Sequence, residues 1–425
     1  MTSGGGAFML RALRHRNYRL FFTGQTVSLI GTWMTRIATS WLVYRLTRSA
    51  LLLGLVGFAG QIPSFLLAPF AGVLVDRWNR HRLLVVTQIL AMIQSAALAA
   101  LALTGIINIW HVLALCLFQG VINAFDMPAR QAFVVEMVEK REDLGNAIAL
   151  NSTMVNAARL LGPSLGGILI AAVGEGWCFF TDAVSYLAVI ASLLLMRLVQ
   201  RPHLVRERAP VLRELREGWS YVVGSPPIRS ILLLLALVSL VGMPYTVLMP
   251  IFASEVLHGG PHTLGFLMGA VGVGALLGAV FLANRRTVVG LGKVLPIAAG
   301  LFGVGLIGFS LSRVLWLSLI LLLLTGIGFM VNMAASNTLL QTLVDDSKRG
   351  RVMSFYTMAI VGITPFGSLL AGALAHRIGT PHTLLLGGIG CIAGALWFVT
   401  LLPRLREKVR PIYIQMGLLP DLAET

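Results

Sequence analysis

Apolar residues run through this chain in blocks of about 20, and short polar segments separate the blocks. A block of that length, wound as an α-helix, crosses the ~30 Å hydrocarbon layer of a bilayer. The pattern therefore predicts an all-α integral membrane protein with twelve transmembrane helices. The predicted spans cover residues 20–44, 51–75, 83–104, 109–127, 146–172, 178–196, 229–252, 263–283, 293–311, 315–340, 352–375 and 383–402.

The longest polar stretch lies near the middle of the chain and divides the spans into two groups of six. Similar short sequences recur in order in both groups, for example GPSLGG at 162–167 and TPFGSLLAG at 364–372. This is typical of a duplicated six-helix unit, an arrangement common in secondary transporters. The predicted organisation is a six-helix bundle over 1–196, a linker over 197–228, a second bundle over 229–403 and a tail over 404–425.

The linker contains Leu212, Leu215, Trp219 and Val222 at helical spacing, with charged residues between them. This pattern predicts an amphipathic helix at the membrane interface. The alternative is a plain linker with a single helical turn.

Most basic residues fall on one side of the predicted membrane. Of the 33 Lys and Arg residues, 27 lie in segments assigned to the cytoplasm or at the cytoplasmic first residue of a span (Arg229 and Lys293), 4 lie in segments assigned to the outside and 2 lie in the interior of spans. Because short loops rich in Lys and Arg stay cytoplasmic, both termini are predicted to be cytoplasmic, in a multi-pass protein of the inner (plasma) membrane. With 57% apolar and 12% charged residues, the net charge of +16 leaves no soluble basic domain, which excludes a nucleic-acid partner.

The sequence offers little to bind a metal or to catalyse a reaction. The three cysteines are far apart, and no cluster of His and acidic residues has the spacing of a metal site. No nucleophile motif and no phosphate-binding loop of the form GxxxxGK[ST] occurs. The chain is therefore predicted to be no enzyme and to need neither a metal nor ATP.

The segment GVLVDRWNRHR, residues 72–82, follows the second predicted span. Its Gly72, Asp76 and Arg77, with the basic cluster behind them, match a signature loop in register, and on this loop the chain resembles the major facilitator superfamily. Asn79 stands where that family usually has Gly, and Asn tolerates a left-handed backbone better than most residues. The alternative is a generic loop that follows the positive-inside rule.

Asp126 lies at the end of the fourth predicted span, in NAFDMPARQAF. In the superfamily an acid at this place often completes a charge chain with the loop. The resemblance therefore implies that Asp76, Arg80 and Asp126 hold the outward-facing state together and separate when the cytoplasmic side opens. The alternative is an Asp that merely caps a helix end before Pro128.

The fifth predicted span contains Gly162, Pro163, Gly166 and Gly167 within ARLLGPSLGGIL. These residues give a helix a kink and a face that permits close packing. The segment resembles the superfamily's antiporter motif, which is found mainly in exporters that exchange substrate for protons. An ordinary Gly/Pro packing site is the alternative.

Further segments narrow the resemblance to one branch of the superfamily. They are NAIALNS at 146–152 with Asn156 and Arg159, FFTDAVSYLAV at 179–189 and RGRVMSFYTM at 349–358. The branch contains the enterobactin exporter and related multidrug and macrolide efflux proteins. The resemblance covers nearly the whole chain. It implies the major facilitator fold of two six-helix pseudo-repeats and does not specify the substrate.

Three charged residues lie within predicted spans and away from the span ends, namely Arg36 in the first, Arg159 in the fifth and Asp182 in the sixth. A charge near the middle of a bilayer costs roughly 2.5–3.5 kcal/mol on insertion scales and is usually paired or functional. We interpret Asp182 as the group that takes up and releases a proton, next to Arg36, which tunes it or binds an anionic substrate. Arg159 is a further candidate for proton coupling. The alternatives are a structural ion pair and a hydrated Asp182 near the outer surface.

Polar or aromatic residues within the spans are candidates for the substrate cavity. For any one of them, hydrogen bonding between helices is an equally good explanation. The candidates are Gln25, Trp33, Gln61, Gln119, Asn123, Asn151, Asn156, Tyr245, Asn332, Asn337 and Gln341.

Together these features predict a secondary active transporter that works by alternating access. The first hypothesis is proton-coupled efflux of amphiphilic small molecules, either drug-like compounds or a siderophore, driven by the proton motive force without a cofactor. Small-molecule uptake or lipid translocation on the same fold is the alternative, and a transport-inactive membrane sensor or scaffold is less favoured. The predicted partners are the substrate, protons and the lipid bilayer, and the protein is predicted to be a monomer.

Overall fold

A computed structural model of the chain describes residues 11–138, 140–197, 211–285 and 287–416. Within these ranges every regular element is a helix. The side chains of Asp76, Arg77 and residues 211–215 lie outside what is described, as does the first part of the predicted linker.

The first six helices follow one another through short connections. They are α1 (Arg16–Thr47), α2 (Ala50–Arg77), α3 (Arg80–Leu103), α4 (Ile109–Met137), α5 (Leu144–Val173) and α6 (Glu175–Leu194). The later helices are α7 (Val211–Gly224), α8 (Pro226–Leu237), α9 (Tyr245–Ile251), α10 (Pro261–Ala283), α11 (Leu291–Leu311), α12 (Leu315–Leu343), α13 (Asp346–Thr357), α14 (Thr364–Ile378) and α15 (Thr380–Gln415).

Wide π-helical turns interrupt the later helices at Val238–Gly242, Phe252–Val256 and Met358–Gly362. Two of these turns end shortly before a proline, Pro244 and Pro365. Proline lacks a backbone N–H and its ring displaces the carbonyl four residues earlier, so the preceding turn widens instead of continuing as a regular α-helix. Consequently α8 and α9 are successive parts of one span, and so are α13 and α14.

Eleven helical stretches among the described residues are long and apolar enough to cross a membrane. They match the second to the twelfth predicted spans in order. The first predicted span corresponds to α1, whose 32 residues extend about 48 Å, although Arg16, Arg19 and Arg36 lower its mean hydropathy. The predicted all-α membrane fold is confirmed, and each of the twelve predicted spans has a helix.

The helix of the fourth predicted span does not end at residue 127, because α4 continues through Pro128 to Met137. Ala129, Phe133 and Met137 recur at a spacing of four and are buried in the core of the first six helices. Their packing outweighs the backbone hydrogen bond that the proline removes. Asp126 therefore lies inside a helix and does not cap its end.

The chain forms two compact units. The first comprises residues 1–207 together with 253–269, and the second comprises residues 208–252 together with 270–425. The boundaries predicted from the sequence, at residues 196, 228 and 403, stay a prediction.

A short 3-10 helix, Arg11–Arg14, precedes α1 and binds near the start of α5. Arg11 Nε lies 3.1 Å from Asp143 Oδ1, and His15 Nε2 lies 2.9 Å from Asp143 Oδ2. The hydrogen bond from His15, assisted by the charge of Arg11, holds the pKa of Asp143 below its usual range. These contacts join the beginning of α1 to the connection between α4 and α5.

Candidate functional site

Asp182 is enclosed by three helices of the first unit. It lies in α6 with 1% of its surface exposed. Ser95 Oγ of α3 donates a hydrogen bond to one carboxylate oxygen at 2.8 Å, and Ser185 Oγ lies 3.5 Å from the other. On the third side α1 approaches so closely that a Cβ placed on Gly31 would lie 2.7 Å from Asp182 Oδ1. Among the described residues only hydroxyl groups bind this carboxylate.

Arg36 does not pair with Asp182, which corrects the predicted acid–base pair. Gly31 faces Asp182, and Arg36 lies about 140° further around the same helix, so it points elsewhere. Its guanidinium stacks on Trp33, 4.6 Å from the ring centroid, and Arg159 of α5 lies over the same ring at 5.2 Å. We call Trp33, Arg36 and Arg159 the Trp33 cluster.

The Trp33 cluster concentrates positive charge in the membrane-spanning part of the first unit. A cation above an aromatic ring gains about 0.5–2 kcal/mol, and the ring fixes the orientation of the planar guanidinium. The Arg36 side chain is exposed, and no carboxylate of the described residues pairs with it. Guanidinium groups beside an indole can bind an anionic group that is attached to an apolar body.

The GPSLGG segment of α5 holds this cluster in place through close contact with α1. A Cβ placed on Gly162 would lie 2.4 Å from Trp33 Cβ. A Cβ placed on Gly166 would lie 3.1 Å from Met34 Cα. A larger side chain at either position would push α1 and Trp33 away from α5, so glycine is required here.

The same segment also contacts the first turns of α10. A Cβ placed on Gly167 would lie 2.6 Å from Pro261 O and 2.8 Å from Gly265 Cα. A Cβ placed on Gly265 would lie 2.8 Å from Pro163 O. The predicted motif residues therefore form a contact in which two helix backbones touch directly.

Asp126 is the second buried acid of the first unit, with 3% of its surface exposed. Thr87 Oγ1 and Gln88 Nε2 of α3 donate hydrogen bonds to Asp126 Oδ1 at 2.9 and 2.7 Å. Arg130, one turn further along α4, pairs with Asp126 Oδ2. The carboxylate is thus fully bound within the α3–α4 interface.

Arg80 and Asp126 each have a described partner of opposite charge, and the predicted chain with Asp76 stays a prediction because the Asp76 side chain lies outside what is described. Arg80 Nη1 lies 2.8 Å from Glu136 Oε1, while Asp126 pairs with Arg130. The extension of α4 supplies both of these partners, Glu136 and Arg130. The roles predicted for Gly72, Asp76 and Arg77 stay predictions.

Replacing Asp126 by Asn is expected to lower the free energy of unfolding by about 1–3 kcal/mol, because Arg130 is left partly buried without its carboxylate. The shift in thermal unfolding of the detergent-solubilised protein measures this loss. Glu136→Gln is the matched control, since it removes the more exposed pair with Arg80 and is expected to cost less than about 1 kcal/mol. Equal shifts for both variants would show that the buried pair contributes no more to the free energy of unfolding than the more exposed pair.

Several predicted cavity residues are buried inside their own unit. Gln25, Tyr245 and Asn332 are 2%, 3% and 1% exposed, so they do not line an open cavity. Asn332 donates a hydrogen bond to Leu295 O at 3.3 Å, and Tyr245 packs edge-on against Phe302. Asn332 thus forms the hydrogen bond between helices that the alternative describes, and the roles of Gln25 and Tyr245 stay predictions.

Other predicted cavity residues are brought together in pairs. Gln119 Nε2 of α4 donates a hydrogen bond to Asn123 Oδ1 at 3.1 Å. Asn337 and Gln341 of α12 are hydrogen-bonded to each other and line a polar recess of about 510 Å³ with Arg349. The remaining candidates are partly exposed. They are Trp33, Gln61, Asn151 and Asn156.

Sequence reasoning missed the hydrogen-bond partners of both buried acids. A signal was present in α3, where a pair of polar residues, Thr87 and Gln88, is followed seven residues later by a second pair, Gln94 and Ser95. The residues around both pairs are apolar. Seven residues are close to two helical turns, so the four side chains form a polar stripe on one face. The spacing of four between Asp126 and Arg130 was a further signal.

Comparison with known proteins gives consistent matches along nearly the whole chain. The family model described as "Transmembrane secretion effector" matches residues 8–412. The Staphyloferrin A transporter of Staphylococcus aureus is 26% identical over 384 residues, which are 90% of this chain and 96% of that protein. The multidrug efflux pump Tap of Mycolicibacterium fortuitum is 28% identical over 388 residues, 89% of this chain and 93% of that protein. The enterobactin exporter EntS of Citrobacter koseri is 25% identical over 399 residues, 93% and 94% of the two chains.

Solved structures share the fold. A bacterial homolog of the human lysosomal transporter Spinster, in an inward-facing and unoccupied conformation, has a TM-score of 0.69 at 16% identity and covers 93% of this chain and 98% of that one. At that identity the likeness concerns the fold alone. Since the family match spans nearly the whole chain and confirms the resemblance of its motifs, the chain belongs to the major facilitator superfamily of multi-pass membrane transporters.

Proposed function

We propose that this transporter exports an amphiphilic small molecule in exchange for protons, by alternating access. Two of the three relatives described above are named for efflux or export, and the third transports a siderophore. These names support a drug-like compound or a siderophore as substrate and efflux as the direction. The protein acts as a monomer in the bacterial plasma membrane. Both of its termini lie in the cytoplasm, and the distribution of basic residues favours this orientation.

The observation that carries the proposed coupling is the enclosure of Asp182. A charged carboxylate that only hydroxyl groups bind is costly in a membrane, and it takes up a proton without breaking an ion pair. Loading this group from outside and unloading it to the cytoplasm moves one charge per cycle. At 100 mV that charge is worth ~2.3 kcal/mol, enough for a gradient of about forty-fold in an uncharged substrate, and an anionic substrate that leaves in exchange adds to this drive.

The Trp33 cluster supports a more specific substrate class. Its two guanidinium groups bind an anionic group, while the indole over which both lie offers apolar contact. We infer that the exported molecule is an amphiphile with at least one carboxylate or comparable anion.

An accumulation and susceptibility screen tests this function. The chain is expressed in a bacterial host that lacks its main efflux pumps, and anionic, neutral and cationic amphiphiles are compared with and without an uncoupler. Cells that express the chain should accumulate less of the anionic compounds, and the uncoupler should remove the difference. Efflux that survives the uncoupler would overturn proton drive, and export confined to cationic compounds would overturn the anionic substrate.

Replacing Arg36 by Gln is expected to raise the KM for an anionic substrate about tenfold or more, because one hydrogen bond to a charged group is worth ~1.5–3 kcal/mol. Arg36→Lys keeps the charge but loses the planar stacking on Trp33, so its KM should lie between those of wild type and Arg36→Gln. Initial transport rates in inverted vesicles, measured over a range of substrate concentrations, give the KM of each variant. An unchanged KM in Arg36→Gln would remove Arg36 from the binding site.

A further inference from the structure

The second unit contains an apolar groove beside the last part of α15. Its volume is about 490 Å³, within the range of about 300–1,000 Å³ that is usual for small-molecule sites. The lining includes Ile231 of α8, Leu339 and Leu343 of α12, and Phe398 and Leu402 of α15. These side chains offer a continuous apolar surface to a ligand.

Basic side chains stand at the rim of this groove. Lys293 of α11 and Arg406 and Arg410 of α15 line it, and all three side chains are exposed. Glu407 is the only acidic residue among the described lining residues. The rim therefore carries a net positive charge above an apolar interior, a combination that suits an amphiphilic anion.

The groove lies at the depth where a bilayer changes from acyl chains to head groups. α15 has 36 residues and is about 54 Å long, well above the ~30 Å hydrocarbon thickness, so its last part leaves the hydrocarbon layer. α11 begins at Leu291 and α12 ends at Leu343, and residues from both ends line the groove. The apolar interior thus reaches the acyl chains, and the basic rim reaches the head groups.

The two faces of α15 differ beyond residue 402. Arg406 and Arg410 are one turn apart and both line the groove. Arg404 and Lys408 are also exposed but do not line it, because each lies about 200° around the helix from the next rim residue. The chain therefore provides two pairs of basic residues that carry the same charge. One pair lines the groove and the other faces away from it.

We propose that this groove binds an anionic phospholipid of the surrounding bilayer. One acyl chain occupies the apolar interior, and the phosphate binds to Lys293, Arg406 and Arg410. A lipid held in this way connects the ends of α11 and α12 to α15. The groove is therefore occupied more fully in membranes rich in anionic lipid. The site does not depend on the export activity proposed above.

Lipid titration of the purified full-length chain in detergent tests the proposal. Phosphatidylglycerol and phosphatidylcholine with identical acyl chains are compared, and native mass spectrometry and thermal unfolding report binding. Wild type should bind phosphatidylglycerol at least about tenfold more tightly than phosphatidylcholine. Soluble glycerol phosphate, which has no acyl chain, should bind far more weakly; equal binding of it would overturn a lipid site.

Paired charge variants separate the site from general surface attraction. Arg406→Gln/Arg410→Gln should weaken phosphatidylglycerol binding about tenfold or more, whereas Arg404→Gln/Lys408→Gln, with the same change in charge, should leave it nearly unchanged. Leu402→Trp fills the groove without altering charge and should also weaken binding, which keeps a test available where the rim variant fails to fold. Equal weakening by both charge variants, or wild-type binding by Leu402→Trp, would overturn the proposal.

Discussion

Replacing Asp182 by Asn is expected to abolish proton-coupled transport and to leave a folded protein in the membrane. Asn has nearly the same size and its side-chain oxygen still accepts the hydrogen bond from Ser95, but it has no proton to exchange. In proteoliposomes that carry an imposed proton motive force of 100 mV, wild type should sustain a substrate gradient of at least about forty-fold. The variant should sustain none, and only downhill movement of substrate should remain.

Proton release that depends on added substrate, followed with a dye inside the vesicles, measures the coupling directly. Glu175→Gln is the matched control, because Glu175 is another buried acid of α6 but is bound to Arg45 at 2.8 Å. It should keep its proton release. Undiminished release in Asp182→Asn would show that another group carries the proton and would overturn the proposed role.

The number and order of the helical spans followed from the sequence because a bilayer imposes their length and apolar character directly. The rotation of each helix about its axis did not follow from composition, and this rotation decides which charges meet. Arg36 and Asp182 were paired because both are charged residues within spans. In the structure Gly24 and Gly31 turn one face of α1 against α6, where a Cβ on Gly24 would lie 2.3 Å from Ser192 Oγ.

The surroundings of the buried acids were hidden for a related reason. Small polar residues such as Ser95 and Thr87 carry little weight in a hydropathy pattern, yet they supply the donors that Asp182 and Asp126 need inside the membrane. Pro128 also misled the prediction, because local preference ends a helix there and only tertiary packing continues it. The motif glycines, by contrast, could be recognised from the sequence, although their neighbours could not.

Replacing Gly167 by Leu is expected to reduce the transport rate at least about tenfold. Its Cβ would lie 2.6 Å from Pro261 O and 2.8 Å from Gly265 Cα, and both neighbours belong to the backbone, which cannot turn aside as a flexible side chain does. Overpacking of this kind costs about 1–3 kcal/mol, which corresponds to roughly one or two orders of magnitude in a conformational equilibrium. Gly167→Ala places the same Cβ without the larger side chain, so its loss should be smaller.

Gly145→Leu on the same helix separates the effect of this contact from the effect of adding a leucine to α5. A Cβ on Gly145 meets no atom within 4 Å, so the control should fold and transport as wild type does. Initial rates in vesicles are normalised to the amount of monodisperse protein, so that a loss of folded transporter is distinguished from slow turnover. Because the α5–α10 contact joins two backbones, a Gly167→Leu variant that transported at the wild-type rate would show that these helices need not approach each other for the protein to work.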